Sequence, residues 1–146
     1  MESLLKNIFN GPYTLEREIS SPCMKASGGA SFKKLAEGRV LYEEGGSYQK
    51  FGEQIFYQRR LFIFQEGTLS ILKENGDLLH YFDQKSLLLN REKDEAFLSF
   101  FLSHIHFCGS DTYAVEIKLL SREVFHMGYH VRGPHKNYHI KTIYTR

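Results

Sequence analysis

The chain has no tryptophan, three prolines and two cysteines among its 146 residues. Two thiols, Cys23 and Cys108, are far below the density of a disulfide-stapled secreted scaffold, so a reducing, cytoplasmic setting is expected. The first ten residues carry Glu2 and Lys6 inside a short apolar stretch, with neither the long apolar region nor the small-residue cleavage site of an export signal. Nowhere do about eighteen apolar residues run together, so no transmembrane helix and no membrane partner are expected. Excess charge of one sign is also missing. The formal net charge is +2, too small to imply a nucleic-acid partner, because neutralising phosphates requires several clustered lysines or arginines.

The common enzyme signatures are absent as well. There is no dinucleotide glycine motif, no Walker loop, no paired-histidine zinc motif and no nucleophile elbow. Gly28-Gly29-Ala30-Ser31 is glycine-rich but leads into a strand pattern, with no following helix N-terminus to hold an anion. His104, His106 and Cys108 alternate, the minimum for shared metal ligation, but a fourth ligand would have to come from a remote His80, His126 or His130; no metal is predicted.

What the chain does have is twelve phenylalanines and nine tyrosines, a composition that favours strands. Its length suits one domain over residues 1–146, with a single core. Ser3 is placed to cap a short helix whose Leu4, Leu5, Ile8 and Phe9 share a face, stopped at Asn10-Gly11-Pro12. From Tyr13 to Ile19 the pattern alternates, with Tyr13, Leu15, Arg17 and Ile19 on one side. Ser21 to Gly29 reads as a loop, and Glu37-Gly38, Gly45-Gly46, Glu66-Gly67 and Asn75-Gly76 read as turns between short strands. After Asn90, Phe97, Phe100, Phe101, His104 and Ile105 have helical spacing, which predicts a helical insertion near residues 91 to 104, either packed on the barrel or serving as a lid. Three further strands follow: His106 to Leu120 with an irregularity at Gly109, Val124 to Arg132, and Lys136 to Arg146. Such a meander predicts an all-β, antiparallel barrel of about eight to ten strands, with a short N-terminal helix.

The most distinctive stretches are His106-Phe107-Cys108-Gly109-Ser110-Asp111-Thr112-Tyr113 and Gly133-Pro134-His135-Lys136-Asn137-Tyr138, followed by Thr142, Tyr144 and Arg146. With Gly11 to Arg17, Gly29-Ala30-Ser31-Phe32, Leu41-Tyr42-Glu43-Glu44, Arg59-Arg60 and Asn75-Gly76 followed by Leu79-His80 and Phe82, they resemble the motifs of the DUF6314 family along nearly the whole chain. Tyr13, Ile63 and Tyr129 stand where that pattern favours tryptophan, and Leu61 replaces an aromatic. The resemblance implies a calycin-like barrel, akin to lipocalins and fatty-acid-binding proteins, and it implies no activity. Calycin barrels pack an N-terminal aromatic near an arginine of the last strand, and here Gly11, Tyr13 and Arg146 hold suitable positions.

On the last strand Lys136, Tyr138, Ile140, Thr142, Tyr144 and Arg146 share parity. If that face points inward, an interior that also holds Arg17, Glu44, Arg60, His80, His106, Asp111 and Tyr113 is too polar for packing alone, since each buried charge needs a partner. A pocket for a small anionic organic ligand satisfies these residues, with Arg17, Arg60 and Lys136 as counter-charges. A polar network stitching strands together satisfies them too. Two other readings are a barrel that uses His80, His106 or His130 for haem or acid–base chemistry, and an interaction protein, including a homodimer, that docks through Phe97, Phe100 and Phe101.

Overall fold

A computed structural model describes residues 2–21, 23–49, 54–83, 87–90 and 99–146. Helix α1 (Glu2–Ile8) is followed by β1 (Gly11–Ser20), β2 (Cys23–Ala36), β3 (Arg39–Tyr48), β4 (Gln54–Gln65), β5 (Thr68–Lys73) and β6 (Leu78–Phe82). Then come β7 (Leu87–Asn90), β8 (Ser99–Cys108), β9 (Asp111–Leu119), β10 (Val124–Gly133) and β11 (Lys136–Thr145). All pair antiparallel in one sheet of order β6-β5-β4-β3-β2-β1-β11-β10-β9-β8-β7. The first strand lies beside the last, and β6 packs back against β8, giving a nearly closed barrel. Ten strands have five residues or more, and β7 has four.

Alternation decides which side chains point inward. On β1 the buried residues are Tyr13 and Leu15, with Arg17 next in the same row, as the two-residue period requires. The hairpins at Glu66-Gly67 and Asn75-Gly76 form where expected, with Glu66 at φ 49°, Gly67 at 80° and Gly76 at 91°. α1 begins at Glu2, so Ser3 lies inside the helix instead of capping it.

Four expectations are corrected. Ser21 to Gly29 is largely strand β2, and Gly45-Gly46 is strand β3 instead of a turn. Gly28 and Gly46 sit opposite each other, and a Cβ on Gly28 would collide with the carbonyl oxygen of Gly45, one on Gly46 with that of Ser27. The glycines allow two strands to approach closely while the sheet bends, which sequence alone does not distinguish from a turn. Residues 99 to 104 are strand β8 instead of helix, and 91–98, with Phe97, lie outside the described residues. Leu102 is buried opposite Ile117, while Ile105 and Phe107 of the other parity are exposed; the aromatic residues of this segment favour strand, and sheet pairing overrides an accidental helical spacing. The stretch from His106 to Leu120 is two strands, β8 and β9, reversed at Gly109 with φ 62°.

One end of the barrel is packed solid. Phe9, at the end of α1, meets Phe62 and Phe125 edge-on at centroid distances of 5.3 and 5.4 Å, and Phe125 stacks on Tyr144 at 4.3 Å. Tyr13 donates its hydroxyl to the Ile8 carbonyl at 2.6 Å, tying the helix to the first strand.

Candidate functional site

Towards the other end, the inner row changes from rings to long polar side chains, and a cavity of about 260 Å³ opens. Arg17 of β1 faces Thr142 of β11 in register and donates from Nε to Thr142 Oγ1 at 2.8 Å. Its other two nitrogens reach Glu44 Oε1 at 3.0 Å and Oε2 at 2.6 Å. Glu44 is buried and also accepts from the Tyr42 hydroxyl at 2.6 Å, which in turn bonds the Tyr144 hydroxyl at 2.9 Å. Burial by itself would lower the Arg17 pKa, but the hydrogen bonds and charge of Glu44 outweigh it and hold the guanidinium above its ordinary range. Burial pushes the Tyr42 hydroxyl well up and that of Tyr144 to about 12, so both stay neutral donors. The bidentate pair is therefore complete in itself.

Arg60 of β4 differs. It lines the cavity, yet among the described residues its hydrogen-bond partners are the Arg59 carbonyl at 2.9 Å and Gln58 Oε1 at 3.2 Å. Among the described residues no carboxylate lies within ion-pair distance of it. Around it stand Tyr48, Phe62, Tyr113, Met127, Tyr129 and Tyr138, apolar faces with few polar tips, a lining suited to a small organic molecule.

Behind Tyr129 sits His80 of β6, fully buried, with Nε2 at 2.9 Å from the Tyr129 hydroxyl. Burial, then the neighbouring His104, His106 and Arg60, depress His80 to a pKa of about 3; it is a neutral hydrogen-bonding group, not an acid or base poised near pH 7. The His104 ring lies 5.8 Å from it, and the Nδ1 atoms of both are buried without a hydrogen-bond partner among the described residues. His106 packs 6.2 Å from the Tyr113 ring. At the rim, Lys136 Nζ donates to Asp111 Oδ2 at 3.0 Å and to the Tyr113 hydroxyl at 3.3 Å, and Asp111 leads this hydrogen bonding in raising the lysine's pKa. A Cβ on Gly133 would strike Asp111 Oδ1, so a side chain there would displace the carboxylate from this position.

Of the ten residues singled out in the sequence, Arg17, Glu44, Arg60, Tyr113 and Tyr138 line the cavity. His80 and His106 stand behind its wall, and Asp111 and Lys136 guard its rim. Arg146 is elsewhere. Its guanidinium lies 4.9 Å from the Tyr13 ring centroid and donates to the carbonyls of Asn10, Asn7 and Arg122 at 2.6, 3.2 and 3.0 Å, sealing the packed end. That is the closing contact anticipated for Gly11, Tyr13 and Arg146, and it removes Arg146 from the cavity. His130 lies outside the barrel, its ring stacked on His139 at 3.9 Å, so it cannot serve chemistry in the cavity. Sequence reasoning missed Tyr42, Gln58 and Tyr129 as lining residues, and placed Tyr144 on the inward face without singling it out. Parity with Glu44, Arg60, Val131 and Thr142 was the available signal.

Residues 9–146 match the family of unknown function DUF6314. The chain belongs to the DUF6314 family. No curated protein sequence matches this member of the family. Among solved structures it is similar to the S-type phycobiliprotein lyase CPES from Guillardia theta, with a TM-score of 0.66 and 9% identity over 97% of this chain and 92% of that one. It is also similar to the barrel EF1p2_mFAP2b bound to DFHBI, with a TM-score of 0.56 and 9% identity over 100% and 99% of the two chains. A de novo designed fluorescence-activating β-barrel gives a TM-score of 0.53 and 6% identity over 100% and 98%. At such identities the likeness is one of fold.

Proposed function

We propose that this DUF6314 protein binds a small, planar organic anion inside the barrel. The observation that carries the reading is Arg60, a guanidinium without a carboxylate partner among the described residues, facing a cavity walled by tyrosine and phenylalanine rings. The other interior charges cancel: Arg17 is neutralised by Glu44, and Lys136 by Asp111 at the rim. One positive charge is left over, which a carboxylate or phenolate would balance. The rings supply flat apolar surface, and a volume of about 260 Å³ limits the occupant to a compact molecule. The fold neighbour bound to DFHBI supports the reading to this extent, that a barrel of this shape accommodates a small molecule. The two exposed, unpaired thiols, Cys23 and Cys108, fit a cytoplasmic setting for this role.

Native mass spectrometry of gently purified protein should show a retained small molecule. A thermal-shift panel of aromatic carboxylates should then raise the melting temperature, whereas their amides should not. Arg60→Met should weaken the best carboxylate by roughly ten- to a hundredfold, the worth of a hydrogen bond to a charged group. Equal affinity of the variant for acid and amide, with the wild type showing no preference either, would sink the anion reading.

A further inference from the structure

The outer surface of β8 to β11 holds a second concentration of chemistry that the cavity does not use. Alternation turns Lys118 of β9, His126 and His130 of β10, and His139 and Lys141 of β11 to the outside, where they line a groove of about 760 Å³. Pairing brings them together: Lys118 lies opposite His126, Gly128 opposite Lys141, and His130 opposite His139. The two imidazoles of the last pair stack at 3.9 Å with 21° between their planes. His130 Nε2 bonds Asn137 Oδ1 at 3.0 Å, and Arg132 Nε donates to its Nδ1 at 3.2 Å.

Among the described residues no carboxylate is within ion-pair distance of Lys118, Arg132 or Lys141. The outer face of β3 and β4 is different. There Glu43 accepts from Tyr57 at 2.6 Å and lies 3.6 Å from Arg59, which also approaches Glu74 at 3.8 Å, so that face neutralises itself. Unpaired cations gathered on one face call for an anionic partner.

We infer that the outer groove across β8 to β11 docks an extended acidic segment of a partner protein. Three features point to a polypeptide. Gly128 leaves the floor without a side chain, and Glu116 lies across it, its carboxylate within 3.3 Å of where a Cβ would stand. That carboxylate is an acceptor for peptide N–H groups, donors that a phosphodiester backbone lacks. The groove is bordered by Ile105, and Phe107 stands beyond it on the same face, 54% and 74% exposed, apolar surface for side chains interspersed with the acidic ones.

The charges facing the three histidines are Glu116 and Lys118 from β9, Arg132 from β10, Lys136 and Lys141 from β11, Glu18 of β1 across the strand from Lys141, and Lys25 of β2 beside His139; from β8 come the uncharged Ser103 and Ile105. Burial, then Lys141 and Lys118, lower the His126 pKa, and a bound carboxylate reverses that repulsion. His126 takes up its proton below the ordinary histidine range, and a carboxylate beside it favours that uptake, so binding strengthens on acidification while the peptide's carboxylates are still ionised.

The test is a fluorescence-anisotropy titration of the whole chain with a labelled peptide of alternating glutamate and leucine, at about pH 7.5 and about pH 5.5 and at fixed salt. The expected result is binding at least about tenfold tighter at the lower pH, and a loss of about tenfold or more in the double variant Lys118→Glu, Lys141→Glu. Lys118→Gln with Lys141→Gln, checked by circular dichroism, guards against a fold defect and should show a smaller loss of the same sign. An unlabelled oligothymidylate competes poorly if the partner is a polypeptide. Binding indifferent to both variants, absence of peptide binding at both pH values, or tighter binding of the oligothymidylate than of the peptide overturns the proposal.

Discussion

The two ends of the barrel use the same strands and the same alternation but reach opposite results. At the helix end the inward row carries Tyr13, Phe32, Phe62, Phe125 and Tyr144, and Phe9 plugs the middle, so rings meet edge to face or stacked and fill that end. Two or four residues along their strands from Phe62, Tyr13, Val40 and Phe125, the row carries Arg60, Arg17, Glu44 and Tyr129, whose polar tips must be satisfied before they can be packed. Polar tips cannot simply be pressed together, so this half keeps a cavity. Ring packing thus concentrates in one half and open, polar-lined space in the other.

The largest expected effect separates the halves by pH. His80 of the hollow half is held at a pKa of about 3, below the roughly 6.5 of an unfolded histidine. Between these values the unfolded chain binds the proton and the folded one does not. Stability is therefore full above about pH 6.5 and falls by up to about 1.4 kcal/mol per pH unit on acidification towards pH 3. Urea titrations of wild type and His80→Gln across that window measure it, and parallel curves for the two proteins would contradict the assignment.

Phe9→Ala attacks the packed half. A cavity among Phe32, Phe62 and Phe125 should cost about 4 kcal/mol in chemical denaturation while leaving ligand affinity of the surviving folded protein nearly unchanged. Glu44→Ala removes the partner of Arg17 and strands a buried guanidinium, at about 3 kcal/mol. The double variant with Arg17→Met should regain much of that loss; no recovery would mean that the pair is not the coupled unit described. Arg146→Ala loosens the seal on Tyr13 and the three carbonyls, with an expected loss of about 1 to 2 kcal/mol and a matching fall in amide-exchange protection of α1. Of the four, it should disturb the hollow half least.

Much of this architecture is legible without coordinates, because a two-residue period and turn residues act locally. Tyr13 to Ile19, the Glu66-Gly67 and Asn75-Gly76 hairpins and the inward parity of Tyr138 to Tyr144 follow from side-chain alternation and from glycine's tolerance of positive φ. The places where local reading fails share one cause, a partner strand remote in sequence. Gly28 and Gly46 look like turn residues until the opposing strand shows that they allow a close crossing. Phe100, Phe101 and His104 look helical until β7 and β9 supply the ladders that make them strand.

The site divides in the same way. Sequence by itself determined which residues carry charge and which row of each strand they occupy, so Arg17, Glu44, Arg60 and Tyr138 were identifiable as inner polar groups. Only the tertiary structure decided their pairing. It gave Glu44 to Arg17 and Asp111 to Lys136, left Arg60 facing open space, and carried Arg146 to the sealed end. Pairing depends on distances set by barrel closure between strands far apart in the chain, and a local pattern contains no information about them.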